Sequence, residues 1–190
     1  MKVEKTAIPG VVEIYPDVFN DGRGYFFESF RDTIFHNEGL PSIFRQINQA
    51  KSLKNVLRGL HYQLENPQGK LVRAIFGRIR DVAVDIRKHS PTYGQYEISQ
   101  LTDKNNKMLY IPEGFAHGYI VESDLAVVEY LCTKRYVPDD QFGINWSDPD
   151  LNIPWGISKP ILSAKDIKLP YLKNQRYLPI YKWPEKPIKY

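Results

Sequence analysis

The sequence predicts a mainly β protein, a sandwich, jelly roll or barrel, on three observations. Short segments rich in β-branched and aromatic residues recur along most of the chain, Gly, Pro and Asn punctuate them at close spacing, and only one stretch carries a helical signal. Taken in order, Val11-Val12-Glu13-Ile14-Tyr15 and Tyr25-Phe26-Phe27-Glu28-Ser29-Phe30 read as the first strands. Residues 31–38 form the helical stretch, stopped by Gly39 and Pro41. Strands follow at 46–50 and 56–63, then at 70–76, which ends on Gly77, a natural turn or bulge position. In the next strand, at 80–86, Val82, Val84 and Ile86 share one face and Asp81, Ala83 and Asp85 the other. Further strands are expected at 96–101, 108–111 and 126–134. In the last, alternation groups Tyr130 with Ala126 and Val128, without deciding which face is inside.

At 190 residues, with 42% hydrophobic and 25% charged residues, the chain suits one domain with a full core. We expect a single domain over 1–190, its core at about 5–173 and a Pro-rich C-terminal arm at 174–190. Pro160, Pro170, Pro179, Pro184 and Pro187 bar this last part of the chain from supplying central strands, so it is expected to wrap the surface or pack on a partner. No apolar run is long enough to span a bilayer or to act as a signal peptide, so no membrane partner is expected. The one cysteine, Cys132, has no internal disulfide partner, which points to a cytoplasmic protein. The net charge of +4 and pI near 9.0 come from scattered basic residues rather than a basic helix. No nucleic-acid motif accompanies them, and a site for a small polyanion accounts for the balance.

Two of the four histidines stand in unusual settings, while His36 and His89 read as ordinary surface or core residues. His61 lies in Leu57-Arg58-Gly59-Leu60-His61-Tyr62-Gln63, with Lys70 shortly after. His117 closes Pro112-Glu113-Gly114-Phe115-Ala116-His117, the Pro-x-Gly-x-x-His spacing of the second cupin motif, in which a turn delivers a histidine into a barrel. Metal-binding cupins usually offer a His-x-His pair with a later Glu, where this chain has His61-Tyr62-Gln63. Two histidines without a clear third ligand make a poor zinc or iron site, so no metal is expected.

Six segments in order and spacing resemble the dTDP-4-dehydrorhamnose 3,5-epimerase family: Asp21-Gly22-Arg23-Gly24-Tyr25-Phe26-Phe27-Glu28, residues 57–63, Gln68-Gly69-Lys70-Leu71-Val72-Arg73, residues 81–87, residues 111–118 and Leu162-Ser163-Ala164-Lys165-Asp166. The resemblance implies a double-stranded β-helix, the cupin jelly-roll barrel, with short helices, working as a homodimer without a cofactor. The implied reaction is inversion at C3 and C5 of a nucleotide-linked 4-keto-6-deoxy sugar, most simply dTDP-4-dehydro-6-deoxy-D-glucose. The ketone acidifies the neighbouring protons, a base removes one, and an acid returns it on the other face. His61 matches the family's base and Asp166 its paired carboxylate. Lys70 matches the cation beside the C4 oxygen and Tyr130 the acid. Arg58 and Arg23 match diphosphate ligands, Tyr136 the aromatic stacked on the base, and Gln46, Asn48, His117 and Lys165 further substrate ligands. Phe19, Arg23 and Glu28 would come from the other subunit.

Strict alternation sends Arg58 and His61 to opposite faces, so a local irregularity at Gly59 is expected. Two residues depart from the family pattern. Ile47 replaces an Asp and is expected to alter the pocket wall. Gln141 stands where relatives carry an acid near the base, and an amide both donates and accepts where a carboxylate only accepts. It bears on nucleotide choice, and substrates with other nucleotides or inversion at one carbon remain alternatives. A metal-dependent cupin enzyme and a non-catalytic sugar-nucleotide-binding module are the readings from other classes.

Overall fold

The computed structural model describes residues 1–181. The sequence-predicted arm is covered only in part, since residues 182–190 lie outside the described residues. In chain order the elements are β1 (Lys2–Lys5), β2 (Val12–Tyr15), β3 (Phe19–Asp21), β4 (Gly24–Phe26), α1 (Asp32–Asn37), β5 (Gln46–Leu53), β6 (Leu57–Gln63), β7 (Lys70–Phe76), β8 (Arg78–Asp85), β9 (Tyr96–Thr102), β10 (Met108–Ile111), β11 (Phe115–Val121), β12 (Leu125–Cys132) and β13 (Gln141–Gly143). Short 3-10 turns follow at Asp166–Lys168 and Leu172–Asn174.

The strands form two antiparallel sheets. The first runs β1-β2-β10-β7-β12-β5 and the second β13-β6-β11-β8-β9. From β5 to β8 and from β10 to β13 the chain steps from one sheet to the other with each strand, which is the jelly-roll path. The fold is thus the mainly β, cupin-type jelly roll expected, although its strands stay in two facing sheets and do not bond into one closed ring.

Three apolar layers hold it together. Between the sheets, Val72, Ala74, Leu109, Ala126 and Val128 of the first meet Ile79, Ala83, Leu101, Phe115 and Val121 of the second. On the outer face of the first sheet, Phe35 of α1 packs over Ile14, Leu71 and Met108. On the outer face of the second, Leu57, Leu60, Val82, Val84 and Ile86 lie beneath Ile144, Leu151, Ile153, Trp155, Leu172 and Leu178 of the C-terminal segment. That segment wraps the surface as its prolines require, contributing isolated bridges (Val56 with Ile161, Lys88 with Ile180) rather than a central strand. Each fully buried aliphatic side chain in these layers stabilises the fold by roughly 1.5–3 kcal/mol.

Three differences from the sequence-derived elements have physical causes. The strand expected over 25–30 is only Gly24–Phe26, paired with β3 in a separate two-stranded hairpin whose Phe19, Tyr25 and Phe26 are exposed. A hairpin with no third strand does not propagate further. Second, β11 has no apolar–polar alternation because both its faces are buried, Phe115, Tyr119 and Val121 in the inner core and Ala116 and Ile120 in the outer layer. Third, Gln141–Gly143 pairs with the far end of β6, a contact no local pattern announces. Among the described residues no helix is long and apolar enough to cross a membrane.

Candidate active site

A cavity of about 530 Å³ opens at one end of the layer between the sheets. Its walls come from both. The first sheet supplies Gln46 and Asn48 from β5, Lys70 at the start of β7 and Tyr130 from β12, the second Arg58 and His61 from β6, His117 and Tyr119 from β11 and Gln141 from β13. Tyr136 precedes β13, and Lys165 and Asp166 arrive from the C-terminal segment. Tyr130 packs against the inner core with Ala126 and Val128 beside it, so the face the alternation left undecided is the inner one.

The irregularity expected in β6 is present. The β6–β11 register shifts between His117 and Tyr119, pairing His117 with His61 but Tyr119 with Arg58. Gly59 is the extra residue, at φ +121°, and a Cβ there would lie 2.5 Å from the Gly118 Cα. The two glycines let the strands touch. The slip leaves Leu57, Leu60 and Tyr62 in the outer layer and brings Arg58, His61 and Gln63 to the cavity.

Two histidine–carboxylate pairs stand side by side here. His61 Nε2 is 2.6 Å from Asp166 Oδ1, and His117 Nε2 is 2.9 Å from Asp81 Oδ2 and 3.1 Å from Oδ1. Burial works to raise the Asp166 carboxyl, but hydrogen bonds and charge interaction with His61, with help from Ser163 and the Gly59 backbone, hold it below the usual carboxylate value. A carboxylate there can accept from His61 Nε2–H, and in the imidazole tautomer so held Nδ1 carries the lone pair. Burial pushes His117 down, against Asp81, with Lys70 and His61 adding to the depression. Burial also pushes the Lys70 ammonium below its ordinary value, with Cys132 and Asp81 opposing. The Tyr130 hydroxyl is raised by burial and the neighbouring Cys132 and Tyr119, so it stays protonated and able to donate. Among the described residues no group of three or more His, Cys, Asp or Glu side chains is placed to hold a metal ion.

At the cavity mouth Gln46 Nε2 donates to Asn48 Oδ1 at 2.8 Å, and Gln46 Oε1 accepts from the Tyr136 backbone at 2.8 Å. The Tyr136 hydroxyl donates to Gln141 Oε1 at 2.7 Å, leaving the amide nitrogen of Gln141 as its open donor. Of the sequence-predicted site residues, His61, Lys70, Tyr130, Asp166, Gln46, Asn48, Arg58, His117, Tyr136, Gln141 and Lys165 all line this cavity. Phe19, Arg23 and Glu28 do not. Phe19 is exposed on β3, Arg23 pairs with Asp21 and Glu28 with Arg31. Ile47 corrects an expectation. It points away from Gln46 and Asn48 and is 63% exposed, so it is no part of the pocket wall.

Sequence reasoning passed over Asp81, Tyr119 and two struts. Gln63 holds the Tyr136 loop through Val137 N at 2.7 Å. Asp140 accepts from Leu64, Glu65 and Asn66 backbone N–H groups, fixing the approach to β13. Asp81 was visible as the polar face of a strand, but only the β8–β11 register, His117 opposite Ala83, brings it to the histidine.

A family model described as dTDP-4-dehydrorhamnose 3,5-epimerase matches residues 5–174. The chain is 48% identical over 178 residues to the dTDP-4-dehydrorhamnose 3,5-epimerase of Methanothermobacter thermautotrophicus, covering 92% of this chain and 96% of the relative. A dTDP-6-deoxy-D-glucose-3,5-epimerase from Legionella pneumophila, solved in complex with dTDP-4-keto-L-rhamnose, superposes with a TM-score of 0.93 at 40% identity, over 96% of this chain and 99% of that one. A 3'-monoepimerase from Streptomyces bikiniensis, solved with dTDP-quinovose, superposes with a TM-score of 0.89 at 33% identity, over 94% and 93%.

Proposed function

The chain belongs to the dTDP-4-dehydrorhamnose 3,5-epimerase family, and we propose that it inverts C3 and C5 of dTDP-4-dehydro-6-deoxy-D-glucose to give dTDP-4-dehydro-L-rhamnose. One observation carries the roles of the residues. His61 and Tyr130 enter the same cavity from opposite sheets, with the half-buried Lys70 on its wall. A base and an acid so placed can work on opposite faces of a sugar ring, which is what inversion requires.

In this reading the C4 ketone acidifies the hydrogens on C3 and C5. His61 Nδ1 takes one of them, and Asp166 stabilises the imidazolium that forms. Negative charge moves to the C4 oxygen, where the Lys70 ammonium, desolvated and therefore strongly felt, stabilises the enolate. Tyr130 then protonates the same carbon from the other face. A proton leaves and a proton returns, so the step consumes no oxidant or reductant. Arg58 takes the diphosphate, Tyr136 stacks on the base, the Gln141 amide meets its edge, and Gln46, Asn48, His117 and Lys165 position the rest.

The same reading makes the protein a homodimer in which Phe19, Arg23 and Glu28 reach into the partner's cavity. The β3–β4 hairpin that carries or precedes them and the outer side of β5 expose Phe19, Phe26, Ile47 and Leu53, each more than 60% accessible, and such a face favours burial against a second copy. Mixing His61→Ala with Arg23→Ala protein after dissociation should regenerate activity in the mixed dimers, and no recovery would argue for sites completed within one chain. Residues 1–190 are taken as one domain, its inner core shared by both sheets. The activity belongs in the cytoplasm, because a doubly charged nucleotide sugar does not cross a membrane unaided.

The deciding experiment is proton NMR of dTDP-4-dehydro-6-deoxy-D-glucose with the protein in deuterium oxide. Deuterium at both C3 and C5 with formation of the L-rhamno product is expected. Deuterium at one carbon only would make it a single-centre epimerase, and no exchange would overturn the reading.

A further inference from the structure

Tyr119 sits on β11 in the cavity wall, 3% exposed, with its ring in the apolar layer between the sheets. Its hydroxyl is the one buried side-chain polar atom among the described residues that has no hydrogen-bond partner. A buried hydroxyl left unpaired disfavours folding, and phenylalanine would fill the same layer without that penalty. The unpaired group therefore calls for a partner that arrives with a ligand.

The surroundings identify the kind of ligand. Arg58 lies opposite Tyr119 in the β6–β11 register. Its Nε donates to Ser52 Oγ at 3.0 Å, and the Arg58 side chain lines the cavity beside Tyr119. Burial raises the Tyr119 hydroxyl above its ordinary value, with Arg58 and Ser52 pulling the other way, so it offers a proton rather than accepting one. A phenol donor beside guanidinium donors fits an anionic oxygen that can accept several hydrogen bonds at once.

We propose that the Tyr119 hydroxyl is a further substrate-binding group, donating to a phosphate oxygen of the nucleoside diphosphate that Arg58 engages. The proposal rests on reading the cavity as a nucleotide-sugar site, and it adds a specificity element to it. The Tyr119 donor favours a diphosphate over a bare nucleoside.

The test is isothermal titration of the full-length protein and of Tyr119→Phe with dTDP and with thymidine, together with melting curves and steady-state kinetics. The variant should melt at the same temperature as the parent or higher, since it loses an unpaired hydroxyl. Its affinity for dTDP should fall about tenfold, equivalent to 1.4 kcal/mol, with thymidine binding unchanged. Unchanged dTDP affinity would overturn the proposal, whether or not the melting temperature falls. So would an equal loss for thymidine. A fall in kcat at unchanged dTDP affinity would also overturn it and assign Tyr119 to proton delivery beside Tyr130. If the parent itself binds no dTDP, the nucleotide-sugar reading fails first and this proposal with it.

Discussion

The two histidine–carboxylate pairs are cross-strand neighbours, His61 opposite His117, yet the fold treats them differently. His61 keeps 28% of its side chain accessible and takes its carboxylate from the C-terminal segment, 105 residues away. His117 is 7% accessible, and its partner Asp81, with no accessible surface, comes from the adjacent strand β8. In the first pair the histidine lines the cavity while the carboxylate behind it is shielded. In the second both members are enclosed, although His117 lines the cavity with Lys70. Chemically similar pairs thus differ in burial and in which element supplies the acid.

The sharpest way to break the comparison is to remove the open histidine. His61→Ala should lower kcat about a thousandfold, the scale of losing a positioned general base, with dTDP affinity within about twofold of the parent. Retained turnover measured by product NMR would sink the assignment of His61 as base.

Exchanging the two carboxylates for amides sharpens it further. Asp166→Asn should reduce kcat by roughly a hundredfold, because an amide neither fixes the tautomer nor stabilises the imidazolium, and thermal stability should change little. Asp81→Asn should do the reverse, costing about 2 kcal/mol of stability as a buried partner is mismatched, with a kcat loss under about tenfold. Equal effects of the two substitutions on kcat would mean that both pairs act in the chemistry.

The smallest effect is in pH. His117 has a folded pKa below its ordinary 6.5, chiefly through burial. Below 6.5 the unfolded chain binds a proton that the folded chain resists, so the contribution of this group to stability is fully present above 6.5 and is lost as pH falls towards its folded value. The melting temperature should therefore decline between pH 7 and pH 5, and His117→Gln should flatten that decline. An unaltered slope would show that His117 does not titrate as its burial requires.

Much of the architecture was legible because strands whose two faces differ in polarity announce themselves. Alternation grouped Tyr130 with Ala126 and Val128 on one face of residues 125–132, and Val82, Val84 and Ile86 on one face of residues 80–86, and the structure decided which face is inner. β11 was silent because it is covered on both sides, and the hairpin was overcalled because aromatic residues there meet no third strand. Gly59 was legible for a different reason: two residues needed in one cavity stood at incompatible parity, which only an inserted residue resolves.

The sequence by itself determined the β class and the C-terminal wrapping segment, and its motifs pointed to His61, Lys70, Tyr130 and Asp166, since these depend on residue type, local period and motif spacing. The family resemblance implied the His61–Asp166 pair, which no local period marks, while tertiary structure alone decided that Asp81 meets His117, that Ile47 faces outward, and that the Tyr119 hydroxyl is left unpaired in the wall. Those outcomes depend on sheet order and register between distant strands, and pairing across 105 residues leaves no periodic mark in the chain.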